Sequence, residues 1–194
     1  MTWNIVTQEA ASQWAGYLWM LLGLVWLVMW FGMKRAKRVE APWEMLQHAL
    51  PATLGFWLLF EEGWKGLKEK PFSLTPAIWW IGLALTAIGV GISIWARISL
   101  GANWSSVVTL KKGHELIRVG LYQRVRHPIY TGILLAALGT VLIKGHIRAW
   151  LALAVLWVTF YFKARREERF LRQEFGADYA EHARHTGMFL PKWT

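Results

Sequence analysis

The chain has 194 residues, enough for one domain, and 55% of them are hydrophobic, with 15 tryptophans among them. It has no cysteine, which excludes disulfides, thiolate metal sites and a cysteine nucleophile. The net charge of +10 is set between long apolar runs, a distribution that argues for a membrane and against a nucleic-acid partner.

Residues 1–13 are polar and lack a basic leader region, so no cleaved signal peptide is expected. Residues 16–33 carry no charge and read as a first transmembrane helix, stopped by Lys34, Arg35, Lys37 and Arg38. A second apolar run, 46–64, is interrupted by Pro51 and ends near Glu61 and Glu62; it reads as a kinked or tilted span, with a re-entrant segment as the alternative. Residues 77–96 form an uncharged third span, in which Gly82 and Gly89 lie near one face where a neighbouring helix can approach. Residues 97–125 are basic and polar, with a short strand expected over 107–110 and a turn at Gly113. Residues 129–143 and 147–162 read as a fourth and a fifth span, joined by only Lys144, Gly145 and His146 and therefore antiparallel. Residues 165–184 read as a charged helix leaving the membrane, with Leu171, Phe175, Tyr179 and Ala183 as its apolar stripe, suited to lying on the interface. The expected fold is thus an all-α integral membrane protein of five transmembrane helices with a C-terminal amphipathic helix. It forms one domain over 1–194, with three N-terminal spans in 1–96 and the working half in 97–194.

If the loops after spans one, three and five are inside, they hold 17 of the 22 basic residues. The positive-inside rule then puts the N-terminus outside and the C-terminus in the cytoplasm. Pro128 suits the first position of the fourth helix, so Arg126 and His127 flank a helix N-terminus, where an anion is favoured. They bind an anion, or they are orientation charges with a capping histidine. Lys163 and Glu167 are four apart and share a face; they form a surface ion pair, or Glu167 serves a cationic ligand at the membrane border. Tyr122 and Tyr130 offer aromatic faces to a cation such as a sulfonium, or belong to an interfacial belt. His114 is a ligand contact or an exposed loop histidine. No phosphate loop, zinc pattern or dinucleotide fingerprint is present.

Six segments fall in a telling order: Gly101-Ala102-Asn103-Trp104, His114-Glu115-Leu116-Ile117, Gly120-Leu121-Tyr122, Arg126-His127-Pro128-Ile129-Tyr130, Glu167-Glu168 and Phe175-Gly176-Ala177-Asp178-Tyr179. In order and spacing they resemble the isoprenylcysteine carboxyl methyltransferase family, within the wider group that includes membrane phospholipid methyltransferases. The resemblance covers about half the chain. It implies methyl transfer from S-adenosyl-L-methionine without a Rossmann domain, in a cytoplasmic cofactor pocket, to a lipidic or apolar substrate entering from the bilayer. It implies that His114, Glu115, Leu116, Ile117, Tyr122, His127, Pro128, Ile129, Tyr130, Glu167 and Glu168 bind the cofactor, and that Lys163 and Arg126 act on the substrate. Lys163 stands where the family usually has arginine, keeping the charge but losing the bidentate fork. A carboxylate is the expected acceptor, with a phospholipid amine or small thiol as alternatives, and a membrane scaffold binding anionic lipid as the non-enzyme alternative.

Overall fold

The computed structural model describes residues 2–31, 36–39, 41–62, 65–71, 74–101, 109–111 and 116–192. Five helices carry the fold: α1 (Thr2–Trp30), α2 (Pro42–Phe60), α3 (Pro76–Leu100), α4 (Pro128–Lys144) and α5 (Ile147–His185). Two short strands, β1 (Ala36–Val39) and β2 (Thr109–Lys111), pair antiparallel and tie the α1–α2 connection to the basic loop. The otherwise all-helical chain therefore has a small ribbon, and the strand expected over 107–110 is met at its C-terminal end.

Three of these helices are long and apolar enough to cross a membrane: 7–30, α3 and α5; α4 is shorter and α2 is not among them. The protein is an integral membrane protein. The first helix begins well before the expected span, because the polar segment 2–15 continues the same helix. Pro51 lies inside α2 without ending it. Prolines also open α2, α3 and α4, where a missing N–H costs nothing.

The main structural seam is between α3 and α4. Gly82 lies against Gly139, and a methyl group built on Gly82 would fall 2.6 Å from the Gly139 carbonyl oxygen. Gly89 meets Gly132 and Ala136 in the same way, so the seven-residue spacing seen in the third span is matched by an identical spacing in α4. Small residues let the two backbones touch where side chains would hold them apart. Thr86 Oγ1 donates to the Gly82 carbonyl at 2.9 Å and the Ala136 carbonyl at 3.3 Å, and Ser93 Oγ donates to the Ile129 carbonyl at 3.2 Å. These contacts run antiparallel, so the C-terminus of α3 lies beside the N-terminus of α4. Arg97, fully buried near that end of α3, donates to the carbonyls of Gly101 and Met29, bringing the end of α1 to the same level.

The other helix pair is α2 with α5, packed through Leu58, Leu59, Ala152, Leu156 and Phe160. At the N-terminal end of α5, Arg148 donates to the Glu61 carbonyl and Lys144 pairs with Glu62. Midway along α5, just past its apolar part, Arg166 donates to the Glu44 carbonyl at 2.7 Å and to Gln47 Oε1 at 2.6 Å, both near the start of α2. Gly145, at φ 70°, closes α4 in the left-handed conformation and permits the abrupt turn into α5.

One expectation is corrected here. The charged helix continues the fifth span as α5, from Ile147 to His185, but a break falls inside it at Gly176, with φ 49° and ψ −117°. The stripe from Leu171 to Ala183 is consequently not continuous. Only glycine takes this conformation without strain, so the chain changes direction between Phe175 and Ala177.

Candidate functional site

The site forms where the N-terminus of α4 meets the charged half of α5. His127 is the N-cap residue of α4 and is 6% exposed. Its Nδ1 lies 3.4 Å from Glu167 Oε2 and its Nε2 3.4 Å from Glu168 Oε1. The imidazole therefore sits between two adjacent carboxylates of α5. Burial alone would depress its pKa, but the two carboxylates overcome this and hold it above the ordinary imidazole value.

Arg126 Nε donates to Glu168 Oε1 at 2.7 Å. Its Nη1 reaches the backbone carbonyls of Ala183, at 3.4 Å, and Thr186. Burial works to raise the Glu168 carboxyl, but His127 and Arg126 outweigh it and hold its pKa down to about 2. Glu167 is likewise lowered: burial opposes the shift, and His127, Lys163 and Tyr130 carry it. Tyr130 donates its hydroxyl to Glu167 Oε1 at 2.5 Å. Its ring stacks near-parallel with His127 at 5.6 Å and Phe160 at 4.9 Å, and the Lys163 ammonium lies 5.8 Å from its centroid. Of the two glutamates, Glu168 is 5% exposed and Glu167 24%, so Glu167 is the less buried of the pair.

The segment after α5 completes the site. Gly187 pairs with Val125 in a parallel bridge. Arg126 N–H donates to the Gly187 carbonyl at 2.9 Å and His127 N–H to the Met188 carbonyl at 3.1 Å. Thr131 Oγ1 donates to the Phe189 carbonyl at 2.7 Å, and the Phe189 ring packs edge-on against His127. Arg118 also holds this region, donating to the Asp178 carbonyl at 2.8 Å. The backbone N–H groups of Arg126 and His127 are thus taken by the chain's own carbonyls.

The structure brings Arg126, His127, Tyr130, Lys163, Glu167 and Glu168 together. Tyr122 is buried beside Ala96 and Ile129, with Ile117 packed against them. Its hydroxyl is pushed up by burial and then by Glu167, so this tyrosine lies within the field of the site. Pro128 and Ile129 are buried at the start of α4, and Leu116 is half-buried. His114 and Glu115 lie outside the described residues, as do Ala102, Asn103 and Trp104. Sequence reasoning missed Phe160, Thr186 and Phe189 as site supports, and it placed Tyr179 on an interfacial stripe. Tyr179 is 1% exposed, and its buried hydroxyl has no hydrogen-bond partner among the described residues. The available signal was Gly176: a glycine inside a helical pattern marks a change of direction.

Next to this cluster lies a cavity of about 550 Å³ lined by Arg165, Glu168, Arg169 and Arg172. Among the described residues, no group of three or more His, Cys, Asp or Glu side chains is placed to hold a metal ion.

A basic helix entrance facing paired carboxylates, finished by the C-terminal segment, is the arrangement to compare with known proteins. The profile of the phospholipid methyltransferase family matches residues 77–178, more than half of the chain. A probable protein-S-isoprenylcysteine O-methyltransferase from Oryza sativa subsp. indica is 35% identical over 150 residues, covering 76% of this chain and 71% of that protein. Protein-S-isoprenylcysteine O-methyltransferase of Saccharomyces cerevisiae is 32% identical over 114 residues, covering 57% of this chain and 48% of that one. Among solved structures, a eukaryotic intramembrane Ras methyltransferase (isoprenylcysteine carboxyl methyltransferase) superposes with a TM-score of 0.56 at 25% identity, over 75% of this chain and 52% of that one. The chain spans about half the length of that solved protein. Family profile, curated relatives and fold agree, and the chain belongs to the isoprenylcysteine carboxyl methyltransferases of the phospholipid methyltransferase family.

Proposed function

We propose that this methyltransferase uses S-adenosylmethionine to methylate the carboxylate of a lipid-attached or apolar acceptor, with its site at the cytoplasmic face. The observation that carries the reading is Glu167. It is a partly exposed carboxylate kept ionised by His127, Tyr130 and Lys163 at the end of an apolar helix. When bound, the cofactor supplies an electrophilic methyl group on a sulfonium. Its positive groups suit Glu167, and Tyr122, Tyr130, His127, Leu116 and Ile117 surround the same end of the bundle. Lys163, one helical turn nearer the apolar part of α5, would meet the acceptor carboxylate. Arg126 is spent on Glu168 and on backbone carbonyls, so its proposed part is positioning rather than substrate contact.

The protonation of the site favours a carboxylate over an amine. A carboxylate is already a nucleophile and needs alignment and exclusion of water, not a base. An amine would have to lose a proton. His127 is shifted towards its protonated form by the two carboxylates and is a poor proton acceptor, while Glu168 is too weak a base at a pKa of about 2.

In this reading α1, α2, α3, α4 and the apolar part of α5, 147–162, are five spans, with the N-terminus outside. The side-chain ties between helix ends support it. Arg97 joins the ends of α1 and α3, Arg148 joins the end of α2 to the start of α5, and Arg166 joins the start of α2 to the exit of α5. That is the alternation five antiparallel crossings require. At 17 residues, α4 is roughly 25 Å long, which modest local thinning accommodates.

A radiolabelled methyl assay with prenylcysteine, phosphatidylethanolamine and a small thiol in parallel tests the acceptor. Labelling of prenylcysteine alone is expected; labelling of the amine alone would overturn the reading. Cysteine labelling at position 36 tests the orientation, and modification there from the outer side would reverse it.

A further inference from the structure

We propose that the cavity lined by Arg165, Glu168, Arg169 and Arg172 binds a phosphate-type oxyanion carried by a membrane lipid, beside the methyl-transfer centre and on another face of α5 from Lys163 and Glu167. The inference starts from helix geometry. At about 100° per residue, Arg165, Glu168, Arg169 and Arg172 form one stripe of α5, roughly opposite the face that carries Lys163 and Glu167. The cavity is therefore on the other side of the helix from the lysine and glutamate assigned to the reaction.

Among the described residues, the arginines of that stripe have no acidic neighbour on the stripe other than Glu168. Glu168 is the one acid among the four residues, and it is already committed to Arg126 and His127. None of Arg165, Arg169 and Arg172 forms an ion pair among the described residues. Other basic residues of α5 are engaged: Arg166 donates to α2, and Arg184 pairs with Glu181. Arg172 is held in place by Tyr179, its guanidinium carbon 5.8 Å from the centroid of that buried ring. Three forked donors around a concavity of about 550 Å³ match an anion with several equivalent oxygens better than a single carboxylate.

Depth argues that the anion arrives on a lipid. The apolar part of α5 ends at Phe162, so Arg165 stands about 4–5 Å beyond it along the axis and Arg172 about 15 Å. The polar layer of each leaflet is about 5–8 Å thick, so the stripe starts at the level of lipid phosphates and extends outward. Arg165 meets the negative surface of the membrane at that level, and Arg169 and Arg172 carry the positive stripe outward from it.

The test is calorimetric titration of the full chain in detergent with dihexanoyl phosphatidate, dihexanoyl phosphatidylcholine and inorganic phosphate. Phosphatidate is expected to bind, phosphatidylcholine to bind at least about tenfold more weakly, and R165Q/R169Q/R172Q to lose at least about tenfold in phosphatidate affinity. K163M should leave the affinity unchanged. Helix content by circular dichroism, with the three single substitutions alongside, separates loss of the site from loss of the fold. The variant R165K/R169K/R172K keeps the charge and removes the forks; weaker binding supports a built site, and unchanged binding overturns it in favour of diffuse attraction. Equal binding of inorganic phosphate overturns the lipid source. No phosphatidate binding, or equal binding by wild type and the glutamine variant, overturns the proposal. No cofactor or acceptor is present in these titrations, so a negative result leaves the methyl-transfer reading standing.

Discussion

The two ends of α4 hold buried basic residues in opposite ways. At the C-terminal end, Lys144 pairs with Glu62, whose side chain is 70% exposed, and Arg148 donates to a backbone carbonyl. Nearby, the N–H groups of Ile147 and Arg148 donate to the carbonyls of Glu69 and Leu67. Each charge there fastens a loop, and water can replace much of what is lost. At the N-terminal end, Arg126 and His127 face Glu168 and Glu167 from α5, and Glu168 is only 5% exposed. Two carboxylates on neighbouring residues would repel each other, and His127 between them, with Arg126 and Lys163 beside them, holds both below the usual carboxylate range. One end is a fastening and the other a concentration of charge with one member, Glu167, partly exposed.

The contrast is broken most severely at Arg126. Replacing it by methionine leaves Glu168 buried without its closest cation, a change that costs about 3–5 kcal/mol in such settings. Thermal unfolding in detergent should show the largest loss of any single change at these helix ends. An unfolding temperature equal to that of Lys144→Met would erase the distinction between them.

Next in size is the division of work between Glu167 and Lys163. Glu167→Gln removes a charge-assisted contact worth about 1.5–3 kcal/mol, so binding of S-adenosylhomocysteine should weaken roughly 10- to 150-fold. Lys163→Met should leave that binding nearly intact while lowering activity on a carboxylate acceptor. The reverse pattern would reassign the two residues; equal losses would make them one coupled pair.

A smaller effect is set by pH. Glu168 is depressed to about 2, so its stabilisation is present above the ordinary carboxylate range and fades as pH falls towards 2. His127 is raised, so its stabilisation is complete below the ordinary imidazole value and fades as pH rises through its elevated one. Unfolding temperature should therefore decline on both acid and alkaline sides. In His127→Gln the alkaline decline should vanish and the acid decline remain. An alkaline limb unchanged by the substitution would mean the ring is uncharged in the folded protein. The smallest effect belongs to Lys144→Met, under about 1 kcal/mol, since its partner is mostly in water.

What was legible in the sequence was local. Pro128 marks the start of α4, Gly82 and Gly89 mark the seam, and the four-residue step from Lys163 to Glu167 puts them on one face; each needs only helical periodicity. The partners of Arg126 were not legible, because Glu168, Ala183 and Thr186 are 42, 57 and 60 residues away and share no pattern with it. Gly176 was visible as part of a motif, yet the four-residue recurrence from Leu171 to Ala183 argued for an unbroken helix. Left-handed backbone at one glycine outweighed a periodicity that four side chains agreed on. The six matching segments pointed to the right family, but they did not reveal that Phe189 and Met188 would close over His127.

The pairing of Arg126 and His127 with the segment at 186–189 also sets an order of events during synthesis. At a usual elongation rate of 5–20 residues per second, the 42 residues between Arg126 and Glu168 take roughly 2–8 s to make. For that interval α4 enters the bilayer with its two basic residues uncompensated. In the proposed orientation these charges hold that helix end on the side of the ribosome, as topogenic signals. Only afterwards do the carboxylates of α5 and the strap behind them arrive, and the same two side chains pass from steering insertion to shaping the site.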